Sequence, residues 1–112
     1  MSIHTQRLFP NTVAGVLEAL EITFGKGIYA DKVVERILRQ NKKWGSRDRS
    51  FVAEHTYEMV RWWGLLWAIL EQEPSTKRKD LQKLFGKYGA VQRVYCFDLF
   101  DILYILYQYS EY

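Results

Sequence analysis

A chain of 112 residues with 48% apolar content is long and apolar enough to bury one core without staples, which excludes an intrinsically disordered protein. Its single cysteine, Cys96, excludes an intramolecular disulfide and fits a reducing, cytoplasmic setting. The net charge of +3 is only mildly basic, so the placement of the charge matters more than its sum.

Residues 1–10 read as an irregular lead-in without the apolar core of a signal peptide. Asn11 is a suitable N-cap, and Val13, Val16, Leu17, Leu20 and Phe24 recur at helical spacing. A first helix is therefore expected over about 12–24, stopped by Gly25 and Gly27. Asp31 can cap a second helix over about 32–41. At 100° per residue, Val33, Val34, Ile37 and Leu38 fall on one side of it. Lys32, Arg36, Arg39 and Lys43 fall on the other, so the polar face is mostly positive. The turn NKKWGS follows, with Gly45 breaking the helix and Ser46 able to cap the next.

A long third helix is expected over about 47–71, spanning about 36 Å. Phe51, Val52, Met59, Trp62, Trp63, Leu66, Ile69 and Leu70 give it a broad apolar face, which marks it as central to a bundle. Glu73-Pro74-Ser75 ends it, and residues 75–80 form a basic connector. Leu81, Leu84, Phe85 and Tyr88 predict a short fourth helix ending at Gly89. A fifth element spans about 90–109. Its Val, Ile, Tyr and Phe residues suit a strand as much as a helix, and residues 97–101 alternate as a strand would. The most apolar run, 99–107, is too short to cross a bilayer and contains Asp101, so no membrane partner is expected. The expected fold class is an all-α bundle of about five helices forming one domain over 1–112.

No catalytic motif is present. Gly25-Lys26-Gly27 lacks the strand and third glycine of a dinucleotide fingerprint, and there is no glycine-rich phosphate loop. His4 and His55 lie far apart, and Cys96 has no nearby ligand partner, so no metal is expected. Cys96 reads as a small buried hydrophobe and His55 as a packed polar residue. The functional signal is basic. Between residues 31 and 49, seven cations (Lys32, Arg36, Arg39, Lys42, Lys43, Arg47, Arg49) face three carboxylates (Asp31, Glu35, Asp48). A row of cations on one helix face suits phosphates. Trp44 lies among them, either stacking on an unpaired base or tucked into the core. Asp48, Arg49, Glu54 and Arg61 are expected instead to form a partly buried ion-pair network that latches helix three to its neighbours.

The segment SRDRSFVAEHTYEMVR carries a family likeness. Asp48-Arg49, then Phe51-Val52-Ala53-Glu54, Tyr57 and Val60-Arg61 resemble the signature of the NusB-like helical domain at the N-terminus of Sun-type ribosomal RNA cytosine-5 methyltransferases. The preceding ADKVVERILRQNKKWGS is similar to that domain's partner helix. The likeness covers about 11–71 and fades after Phe85. It implies a NusB-like, RNA-binding bundle attached to a Rossmann-like domain that uses S-adenosylmethionine. The chain stops at Tyr112, before such a domain, and Tyr95 precedes Cys96 where the family has Pro-Cys or Thr-Cys. No catalytic residue, methyl transfer or cofactor is therefore expected here, and the chain reads as a fragment or a shortened relative. The expected partner is RNA, ribosomal by resemblance, contacted by Lys32, Arg36, Arg39, Lys42, Lys43, Trp44 and Arg47. The alternative is a protein-interaction module serving a cognate methyltransferase domain or a homodimer, with the aromatic tail 104–112 as its interface.

Overall fold

The computed structural model describes residues 10–95. Cys96, the outer part of the expected fifth element and the tail 104–112 lie outside them. The described residues form an all-α bundle of five helices: α1 (Pro10–Lys26), α2 (Ala30–Gln40), α3 (Ser46–Arg61), α4 (Trp63–Leu70) and α5 (Arg78–Tyr95). No strand occurs among them.

Several boundaries differ from the expected ones for identifiable reasons. Pro10 opens α1 rather than ending the lead-in, and Asn11 lies inside the helix; a proline fits a first helical position because the amide it lacks has no intrahelical partner there. α1 runs through Gly25, past the expected end near residue 24, and stops at Gly27, where at φ 70° the amide reaches the Thr23 carbonyl at 3.1 Å, the one-bond left-handed cap. At α2 the residue before the helix is Tyr29 rather than Asp31. Asp31 sits in the first turn, where its carboxylate accepts the Lys32 amide at 2.9 Å and faces the positive end of the helix. Gly45 rather than Ser46 precedes α3.

The long third helix is divided. Trp62, at φ −104° and ψ 21°, separates α3 from α4. Two adjacent indoles followed by Gly64 give the chain a place to kink, and they go to different neighbours. Trp62 is buried, and its Nε1 donates to Glu58 Oε2 at 3.0 Å. Trp63 stacks on Phe24 of α1 with ring centroids 3.7 Å apart. The segment then ends at Glu71, three residues before Pro74. The Glu71 amide reaches the Ala68 carbonyl and the Gln72 amide reaches the Trp67 carbonyl, the paired bonds of a Schellman motif. Glu71 holds the left-handed position, φ 54°. The expected fourth helix and the start of the fifth merge into α5, which passes through Gly86 and Gly89 without a break.

α1 and α3 make the most extensive interface; α2 packs on both, and α5 packs on α1 and α4. α3, the first part of the expected long helix, thus forms a central pair with α1, while α4 packs on α5. Val16, Leu20, Val52, Met59, Leu81 and Leu84 are fully buried in the main core. Ala19, Val33 and Ile37 form a smaller core under α2. No helix among the described residues is long and apolar enough to cross a membrane.

Candidate nucleic-acid interface

The second helix buries Val33, Val34 and Ile37, the apolar side expected from its spacing. That burial orients the remaining positions outward. Lys32, Arg36 and Arg39 are exposed along α2, Lys42 and Lys43 along the turn, and Arg47 in the first turn of α3. Arg39 is salt-bridged to Glu35 one turn earlier, with both side chains about two-thirds exposed. Such a pair contributes little to stability and is readily exchanged for another anion. The other five cations have no ion-pair partner among the described residues. Lys32 to Arg39 spans about 10 Å of helix, and the turn extends the row.

The turn itself is held by short-range bonds. Asn41 Nδ2 donates to the Ile37 carbonyl at 2.8 Å, the Trp44 amide to the Asn41 carbonyl at 3.1 Å, and Arg49 Nε to the Trp44 carbonyl at 3.2 Å. The cations on the turn therefore stand on an ordered backbone.

Trp44 takes the tucked position of the two expected for it. It is half-buried, packs against both cores, and its Cη2 lies 2.8 Å from where a Cβ on Gly15 would stand. An alanine in place of Gly15 would meet the indole, so the missing side chain is what admits the ring. The ion-pair network is also absent among the described residues. Asp48, Arg49, Glu54 and Arg61 join no salt bridge, and Glu54 and Arg61 are exposed. Arg49–Glu54 and Glu54–Arg61 are five and seven apart, off the three-or-four spacing of facing pairs within a helix, and none of these charges meets an opposite charge on a neighbouring helix among the described residues. Arg49 ties down the turn by its bond to the Trp44 carbonyl. The long-range ion pair is elsewhere, Arg78 to Glu21 at 2.6 Å between α5 and α1.

His55 is a packed residue. Its Nδ1–H donates to the Phe51 carbonyl at 2.8 Å, and the ring stacks on Phe51 at 4.1 Å and meets the edge of Tyr88 at 5.6 Å. Burial pushes its pKa below the usual imidazole value, against the raising effects of the Phe51 carbonyl and the nearby Glu54 and Glu58 charges. No group of three or more His, Cys, Asp or Glu positioned to hold a metal occurs among the described residues.

Two surface features are not evident from the sequence pattern alone. Lys79 and Lys83, one turn apart, are exposed on α5, and Lys87 follows half-buried in the same row. Tyr29, immediately before α2, is 78% exposed. Periodicity gave no signal for Tyr29, because it precedes α2 at a non-helical φ −57° and ψ 139°, and a helical wheel continued back to it falls between Arg36 and buried Val33. Comparison with family models, with curated proteins and with solved structures finds no match for this chain.

Proposed function

We propose that this chain is a NusB-like RNA-binding module that holds the phosphate backbone of RNA against the outer face of α2 and the turn that follows. The observation carrying this reading is the run of six exposed cations Lys32, Arg36, Arg39, Lys42, Lys43 and Arg47, of which only Arg39 has an anionic partner among the described residues. Cations displayed this way neutralise phosphates and release their counterions. The likeness of residues 11–71 to the N-terminal domain of Sun-type methyltransferases supports ribosomal RNA as the ligand and the cytoplasm as the location. In that setting the module positions RNA for a catalytic domain that carries S-adenosylmethionine and contributes no chemistry of its own.

Filter binding at low salt tests the reading. The wild-type chain should retain a structured ribosomal RNA fragment. The double variant Arg36→Glu/Arg39→Glu should lose at least about tenfold in affinity, because two phosphate contacts become repulsions. Absence of binding by the wild type, or equal binding by the variant, contradicts it.

A further inference from the structure

Two large apolar side chains stand exposed among the described residues, Tyr29 at 78% and Tyr57 at 41%. Their electrostatic surroundings are opposite. Tyr57 has Glu58 beside it and Glu54 three residues earlier on the same helix, with Arg61 four residues on. Tyr29 has Lys26 three residues before it, Lys32 three after and Arg36 seven after, against Asp31 two after and Glu35 six after, the last paired with Arg39. The net charge along the chain is positive beside the second ring and negative beside the first, so a polyanion is better received at Tyr29.

Tyr29 is also well placed to receive a ligand. Its carbonyl accepts the amides of both Lys32 and Val33 at 3.1 Å, so the residue is fixed as the last non-helical position before α2, at φ −57° and ψ 139°. The approach is open, because the residue is exposed over most of its surface. Trp44, the other aromatic of this region, is occupied against Gly15. Exposing a phenol ring on an ordered backbone confers no folding benefit by burial, whereas a base laid on its face gains stacking without the cost of ordering the platform.

We infer that Tyr29 is a stacking platform for an unpaired RNA base at the N-terminal end of the α2 row, with the adjoining phosphates on Lys32 and Arg36. The inference rests on the RNA-binding reading above and adds to it a preference for unpaired over fully paired RNA. Helical RNA keeps its bases stacked on one another and offers the ring none.

The test measures affinity of the full chain, at one salt concentration, for a single-stranded RNA and for a fully paired RNA of the same length. Tyr29→Ala should weaken binding of the single strand by about tenfold and leave the duplex within about twofold. Tyr29→Phe should retain single-strand affinity, since the face and not the hydroxyl does the stacking, and Tyr57→Ala should change neither. An unchanged thermal transition for Tyr29→Ala, expected from the ring's exposure, separates lost contact from lost fold. Loss of affinity for both RNAs alike, or for neither, overturns the stacking role. Wild-type chain that binds neither RNA overturns the RNA reading itself. Binding that Arg36→Glu/Arg39→Glu abolishes but Tyr29→Ala leaves intact overturns only this inference.

Discussion

Trp44 shows how a single residue changes the reading of a surface. In the sequence it sits between Lys43 and Gly45 and looks available to a base; in the fold its ring fills the space that Gly15 leaves open on α1. That pairing joins residues 29 positions apart, which no local periodicity reveals. It makes a specific prediction. Gly15→Ala raises the helix propensity of α1 by up to about 1 kcal/mol, but the new methyl meets the indole, and overfilling a packed site costs about 1–3 kcal/mol. Net destabilisation of about 1 kcal/mol is expected in urea unfolding. Trp44→Phe removes the colliding atoms, so Gly15→Ala should cost less in that background; strictly additive losses would contradict the contact. His55 gives a second residue-scale prediction. Burial lowers its folded pKa below the ordinary value of about 6.5. Between the lowered folded value and about 6.5 the unfolded chain takes up a proton that the folded chain refuses. Stability therefore rises with pH across that window and falls on acidification. His55→Gln should flatten the change in urea midpoint between pH 7.5 and 5.5; an equal slope in both proteins would contradict the assignment.

At the scale of elements, helix existence was legible wherever an apolar stripe met a glycine. α1 and α2 follow directly from Val16, Leu17 and Leu20, from Val33, Val34 and Ile37, and from the stop at Gly27. The subdivision of the third helix was not legible, because Trp62 and Trp63 read as one continuous apolar face until their separate partners, Glu58 and Phe24, are known. Gly89 misled in the opposite sense: it reads as a terminator, yet it lies buried within α5. The end of α4 is strained, with Glu71 in a conformation that costs a side chain about 1–2 kcal/mol. Glu71→Gly should raise stability by about 1 kcal/mol after the extra backbone entropy of glycine is subtracted, read as a higher midpoint in thermal unfolding; a lower midpoint would show that the Glu71 side chain contributes more than its strain costs. Within α3, Thr56 is fully buried and its hydroxyl has no hydrogen-bond partner among the described residues. Thr56→Val replaces an unpaired polar atom with a methyl of similar shape and should stabilise by about 1 kcal/mol. A loss instead would indicate that the hydroxyl is satisfied in solution.

For the whole molecule, the sequence separated the polar face of α2 from its buried side correctly, since amphipathic spacing alone decides which residues face out. It misassigned Asp48, Arg49, Glu54 and Arg61, because a network among charges depends on which helix faces meet, and it placed Lys79 in a basic connector and Lys83 in a short helix without joining them into one exposed face. Those lysines supply the needed comparison. Lys79 and Lys83 are also exposed, so neutralising them changes net charge without touching the α2 row. The most direct test of the central claim is the salt dependence of RNA affinity. A plot of log affinity against log salt should fall steeply for the wild type. Its slope should become shallower by about 0.7 for each phosphate contact removed from a single strand, hence by roughly 2 for the triple variant Lys32→Gln/Arg36→Gln/Lys43→Gln. Lys79→Gln/Lys83→Gln should leave the slope within error of the wild type. A salt-independent affinity, or equal flattening by the α5 substitutions, would contradict the assignment of RNA to the face of α2.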